Sequence, residues 1–529
     1  VSSEQNQEAI EVLQAVGVMT GDENGNFNPD ANVTRNEMAV VMSNLLDYTV
    51  SNYKGISPFT DVPSWAEPYV AACYTNGIIA GYDAKTFGGS DSVTTSQAAL
   101  MLMKALGYFQ YQSDFGQDWL VETTLKGSQI GLFDDVDTAA TAALTRNDVA
   151  QLVLNALEAN MVQYTGNGGT TIKGDGYEIT TGKATYEDRT STNSKYGKLD
   201  NERSTNNGKY IIQLGEDLYD GDLEKKDSQT DDFGRPATQW VYDGDEVGTY
   251  AKSADDSMVI NKELDYAEVM VTDDDYFDYK ASDISEDVEV YVNGVKATAP
   301  GSDFFKAGDV VEVFENDSDE VETIAVIRYT LAKIDSVDDD LSTSLEKQGA
   351  KYAVDLKDLD AGVFSDVDGN TYYDANDDDE KVLNGFAAST YTEGTVIAVA
   401  VGKNDAILAS HVATAVEGTV SKYNSGSKAA VTVDGSSYPL TTKVKGTNPN
   451  FDFDDSTYTV YVNADGYVIG YETTASAKLE DVYYVTGVVR DTEGLYGSTS
   501  YYAQSVKLDG GTVENVKLEQ GCYLSMATG

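Results

Sequence analysis

Met38, Val41, Met42, Leu45 and Leu46 fall at i, i+3, i+4, i+7 and i+8 of TRNEMAVVMSNLLDY, which is one face of a helix. SQAALMLMKALGY (96–108) and RNDVAQLVLNALEANM (146–161) repeat the period, so residues 1 to about 160 read as helical. A glycine-flanked apolar segment precedes each run: GVMTG (17–21), GIIAG (77–81) and GSQIG (127–131). Gly21 to Arg35, Gly81 to Thr95 and Gly131 to Arg146 are separations of 14, 14 and 15 residues, the mark of three copies of one unit.

Past about residue 160 the pattern changes to short alternating segments behind a polar, turn-rich stretch. DVVEVFENDSDEVETIAVIRYTLAKI (309–334), GTVIAVAVGKNDAILASHVATAVEGTV (394–420) and YTVYVNADGYVIGYETTASAKLEDVYYV (458–485) each predict strand, polar turn, strand. The expected division is 1–160, with copies at about 1–50, 51–110 and 111–160, then 161–333, 334–415, 416–485 and 486–529.

The three helices start at TRNE (34–37), TTSQ (94–97) and TRND (145–148). Thr34 with Glu37, Thr94 with Gln97 and Thr145 with Asp148 fit capping boxes, so Glu37, Gln97 and Asp148 are read as capping residues. Arg35 and Arg146 are not explained by capping. At the first helical position a cation opposes the helix dipole, by about 0.3–1 kcal/mol. They are also the only arginines in residues 1–160, which points to a ligand: an anion suited to the planar fork of a guanidinium.

Composition narrows the partners. With 89 acidic and 36 basic residues the formal charge is −53, which excludes nucleic acid as the expected partner. No apolar run approaches the ~20 residues of a membrane span, so membrane insertion is not expected. The polar opening VSSEQNQEAI does not read as a signal peptide, so an exported chain would have lost its signal already. Cys73 and Cys522 are expected as two buried thiols rather than a bridge.

The first 160 residues resemble a tandem of three S-layer homology (SLH) domains, modules that tether surface proteins to cell-wall polysaccharides of Gram-positive bacteria. The second copy, FTDVPSWAEPYVAACYTNGIIAGYDAKTFGGSDSVTTSQAALMLMKALGY, is fullest; the first supplies GNFNPDANVTRNE and the third LTRND. The resemblance implies an all-α three-repeat bundle at the N-terminus, followed here by a string of small all-β domains. It also implies wall-glycan contacts by Arg35, Arg146 and Trp65, flanked by Thr34 and Thr145, with a wall polymer that is often pyruvylated as the anion. Thr95 replaces the arginine in the second copy, which puts that groove in doubt.

An anionic string of β-domains behind such an anchor is similar in architecture to the body of an S-layer protein: secreted, bound to the wall and packed with copies of itself. The alternatives are a surface filament subunit, an adhesin with Phe233, Trp240, Tyr242 and Tyr250 lining a carbohydrate site, or a wall-anchored glycan-active enzyme. The enzyme is disfavoured because no carboxylate pair stands out and His411 lies in a strand-like run. No cofactor is read as essential. Calcium is weighed at Asp366, Asp368, Asn370, Asp374, Asn376 and Asp378, whose alternation supplies oxygen ligands without completing an EF-hand.

Overall fold

The computed structural model describes residues 6–21, 26–173, 176–199, 207–273, 275–338, 352–357, 381–383, 394–403, 407–451, 453, 457–474, 483–492, 499–507 and 513–518. The chain forms two compact units, Val1–Ala254 and Asp255–Gly529.

In the first unit, α1 (Gln7–Ala15), α2 (Arg35–Leu45), α3 (Glu67–Thr75), α4 (Thr95–Leu106), α5 (Trp119–Gln129) and α6 (Arg146–Glu158) are joined by loops. Helices α2, α4 and α6 start from one closed ring of backbone bonds. Val93 N donates to the Val33 carbonyl (2.8 Å), Leu144 N to Val93 (3.0 Å) and Val33 N to Leu144 (3.0 Å). The next two amides of each helix also find carbonyls on a neighbouring segment. Arg35 and Asn36 bond Asp91 and Gly89, Thr95 and Ser96 bond Ala142 and Ala140, and Arg146 and Asn147 bond Ala31 and Pro29. Helix N-termini leave four unpartnered N–H groups, and the neighbouring segment satisfies two of them in each helix.

The expectation of an all-α three-repeat bundle followed by a string of all-β domains is corrected. The helical segment does not close on itself: its unit continues through β1 (Val162–Lys173), β2 (Gly176–Asp188), β3 (Thr190–Ser191), β4 (Tyr210–Ile211), α7 (Leu214–Leu218), β5 (Leu223–Thr230), β6 (Pro236–Tyr242) and β7 (Asp245–Ala251). The physical reason is on α1 and α6. Glu8 accepts from Trp240 Nε1 (2.5 Å), Glu11 from the Tyr250 hydroxyl, and Glu158 pairs with Lys225 at 2.9 Å. Trp240 is fully buried in the same core as Leu13, Leu102 and Leu157. The helices therefore complete their core with a sheet, and the unit is α+β.

The second unit holds several small sheets. Its first sheet runs Val295–Lys296, Ile284–Val292, Val321–Ile327, Val310–Glu315, Asp256–Val259, and its central pair, 284–292 with 321–327, is parallel. Two further five-stranded sheets, over 330–412 and 414–474, and a three-stranded one over 483–518 follow. Asn293 Nδ2 donates to the Arg328 and Val401 carbonyls at 3.0 Å, linking the first two sheets. Ala307 N donates to Thr442 Oγ1 (2.8 Å) and Thr442 N to the Ala307 carbonyl (3.1 Å), linking the first sheet to a short helix, Thr442–Gly446, of the third. Asp309, buried at the same loop, takes both Arg328 Nε and Nη2 at 2.7 Å.

His411, the only histidine in the chain, is half-buried on this unit. Its Nε2 accepts from Ala464 N at 2.9 Å, and its ring meets Tyr329 edge-on with centroids 4.9 Å apart. Burial lowers its pKa from 6.5 more than nearby Asp465 raises it. The native state then binds the proton less tightly than the unfolded chain, so the neutral imidazole's contribution is present above pH 6.5 and is lost as pH falls below it. The melting temperature of the second unit is expected to drop between pH 7.5 and about 5.5, before most carboxylates titrate, and His411→Gln should flatten that slope. A slope unchanged in the variant would refute the assignment.

Candidate functional site

The ring sets the side chains at the helix starts. Thr34 Oγ1 accepts from Glu37 N (3.2 Å) while the Glu37 carboxylate accepts from Thr34 N (2.7 Å). Thr94 with Gln97 and Thr145 with Asp148 repeat the arrangement. With the caps filled this way, the next side chain of each helix reaches over the adjoining segment.

Arg35 is buried, 4% exposed. Its Nε donates to the Phe87 carbonyl (3.2 Å) and its Nη2 to the Ala80 carbonyl (2.9 Å). The guanidinium carbon lies 4.8 Å from the Tyr82 ring centre and 4.6 Å from that of Phe87. Half-buried Arg146 makes the same contacts on the first segment: Nε to the Phe27 carbonyl (2.7 Å), Nη2 to the Thr20 carbonyl (2.8 Å), and the Phe27 ring at 4.6 Å. Thr95 is the short counterpart, its Oγ1 donating to the Thr138 and Ala139 carbonyls at 3.3 and 3.0 Å. The three side chains thus stitch the ring in one rotational sense.

Around Arg35 the loops are shaped closely. Asp61 accepts from Phe87 N and Gly88 N, both at 2.8 Å. Burial works to raise the Asp61 pKa, but these bonds outweigh it and hold the carboxyl below its usual range. Gly88 has a positive φ of 70°, and a Cβ there would strike the Tyr82 ring. The Tyr82 hydroxyl donates to Asp91 (3.0 Å). Burial lowers the Arg35 pKa, opposed by Tyr82, Asp91 and Asp61, and the group stays cationic. Two exposed aromatics lie on the same segment: Tyr82, 56% exposed, whose ring covers Arg35, and Trp65, 55% exposed, on the loop that carries Asp61.

Arg35, Asp61, Tyr82 and Asp91 are therefore brought together, and Arg146 stands apart with Thr20 and Phe27. Asp61, Tyr82 and Asp91 were not singled out from the sequence. The signal that could have found them is the Phe-x-Asp and Gly-Tyr pair of the second copy, FTD and GYD. The six calcium candidates, Asp366, Asp368, Asn370, Asp374, Asn376 and Asp378, lie outside the described residues, as does Cys522. Cys73 is a buried thiol whose pKa burial pushes up to about 11. Phe233, Trp240, Tyr242 and Tyr250 do not gather as an exposed platform, since Trp240 and Phe233 are buried and Tyr250 is bonded to Glu11. No helix among the described residues is long and apolar enough to cross a membrane.

Residues 1–39 and 58–99 match the S-layer homology domain. Over 161 residues the chain is 27% identical to the middle cell wall protein of Brevibacillus brevis, covering 30% of this chain and 15% of that protein. Over 101 residues it is 37% identical to the surface-layer 125 kDa protein of Lysinibacillus sphaericus, 19% of this chain and 8% of that one. An endoglucanase of a Bacillus species is 29% identical over 110 residues, 19% of this chain and 12% of the enzyme, a likeness confined to the S-layer homology part. The aligned segments thus span under a fifth of the length of these relatives.

Proposed function

We propose that this chain, which carries S-layer homology sequence within its first 99 residues, is a structural cell-surface protein anchored through its first unit to a cell-wall polysaccharide. The observation that carries the reading is the Arg35 cluster: a buried cation under the exposed ring of Tyr82, built from two segments that both match the domain. Aromatic faces suit the C–H face of a sugar ring, and the hydroxyl-rich edge suits Asp61 and Asp91 at the rim. The acidic substituent of a pyruvylated polymer would sit nearest Arg146, the less buried of the two guanidinium groups.

The likeness to a surface-layer protein and a cell wall protein supports a structural role over a catalytic one, because the endoglucanase shares only the anchoring part. We read the second unit as the body that associates with other copies. Sedimentation of the protein without wall material, with electron microscopy of the pellet, tests that part; only dispersed single molecules at all concentrations would rule it out.

Wall binding is tested at Trp65. Because its side chain is largely in solvent, Trp65→Ala is expected to leave the melting temperature within a degree or two while weakening pelleting with wall sacculi about tenfold, the cost of one lost stacking contact. Undiminished pelleting would remove Trp65 from the site.

A further inference from the structure

A second cleft, of about 890 Å³, lies in the first unit between the end of α4, helix α5 and the foot of the β1–β2 hairpin, and shares no residue with the Arg35 cluster. Two tyrosines wall it, Tyr108 and Tyr186, their ring centres 5.8 Å apart and inclined at 57°. Tyr186 is fixed from behind by a buried carboxylate: Asp114 Oδ2 accepts from its hydroxyl (2.7 Å) and from Tyr111 N (3.1 Å), and Oδ1 accepts from Ala184 N (3.2 Å). Tyr186 is therefore held in place ahead of binding, which lowers the ordering cost.

The remaining polar lining holds both donors and acceptors. Lys126 Nζ sits 5.5 Å from the Tyr108 ring centre and donates to Gln129 Oε1 (3.0 Å), which directs the amide N–H groups of Gln129 elsewhere. Gln163 Nε2 donates to Glu187 (2.9 Å), leaving its carbonyl as an acceptor, and Glu122 adds a carboxylate. A simple anion would meet the carboxylates here and a simple cation the lysines. Among the described residues no group of three metal-ligating side chains occurs. A ligand with hydroxyls, each able to donate and accept, satisfies both kinds of group, and a flat C–H face matches the tyrosines. The volume falls within the ~300–1,000 Å³ of small-ligand sites.

We propose that this cleft binds a short neutral oligosaccharide of all-equatorial pyranose rings, lying against the wall that Tyr108 and Tyr186 form and hydrogen-bonded by Lys126, Gln129, Gln163 and Glu122. It is a second carbohydrate site, independent of the wall-anchoring reading. The test is calorimetric titration of the full chain with chitotetraose, which carries no acidic substituent. Saturable binding in the range of roughly 0.1–10 mM is expected, weakened about fivefold or more by Gln163→Ala, whose exposed side chain makes unfolding no explanation, and by Tyr108→Ala. Trp65→Ala should leave it unchanged. Absence of binding up to about 10 mM, affinity unaltered in Gln163→Ala, or loss of binding in Trp65→Ala would each overturn the proposal, whatever the outcome with wall sacculi.

Discussion

Arg35→Ala is expected to lower the stability of the first unit by about 3–5 kcal/mol, a loss of roughly 10 °C in melting temperature. The side chain donates two charge-assisted bonds to the Phe87 and Ala80 carbonyls and lies between two aromatic rings. Charged hydrogen bonds contribute about 1.5–3 kcal/mol each, and cation–π contacts about 0.5–2. Truncation removes these and leaves two carbonyls short of a donor where water has little access. Arg35→Lys should recover little, because one ammonium on a flexible stem cannot span two carbonyls as a planar fork does. Thermal melts of the three proteins decide it; a wild-type melting temperature for Arg35→Ala would show that the guanidinium does not hold the ring together. It follows that an arginine-to-alanine variant that fails to bind the wall says nothing about ligand contact until its stability is known.

Trp240→Ala should cost a similar amount, about 3–5 kcal/mol, and the loss should be felt by the helices. The indole is fully buried among helical side chains and its Nε1–H is bonded to Glu8 of α1. Removing it opens a cavity and leaves Glu8 without that donor. Trp240→Phe retains most of the volume and should cost less, about 1–3 kcal/mol. Far-ultraviolet circular dichroism and the fluorescence of Trp65 and Trp119 would follow the transition. A helical melt indifferent to Trp240→Ala would mean that the helices are closed without the strands, contrary to the mixed α+β unit described above.

The local features were the legible ones. Thr34 with Glu37, and its two counterparts, announce helix starts because a capping box is complete within four residues. The hairpin of 310–315 with 321–327 is legible for the same reason: its turn is set by Asn316, which accepts from Ser318 N and Glu320 N. What escaped reading joins residues far apart. The ring needs Val33 to meet Leu144, and the Asp114–Tyr186 bond spans 72 positions. Neither leaves a trace in periodicity.

Arg35 and Arg146 show the middle case. Spacing and the unfavourable helix dipole marked them as needing a partner. The dipole argument looked to a ligand, since an isolated helix start offers a cation nothing else. In the ring, carbonyls of the adjoining segment supply that partner, and they are visible only once three segments are folded together. Trp240 was weighed as a sugar-binding surface because aromatic clusters look alike in sequence whether they face solvent or a helix. Its burial depends on α1, more than 220 residues away.

Whether the first unit recognises a wall polymer is read most directly by equilibrium pelleting of the full chain with two preparations of the same sacculi, one intact and one stripped of its non-peptidoglycan polysaccharide by acid extraction, with a no-sacculi control to subtract self-association. Binding to intact sacculi that falls at least about tenfold on the stripped ones, a difference of ~1.4 kcal/mol or more, is the predicted result. Equal binding to both would contradict the account, since peptidoglycan alone would then suffice.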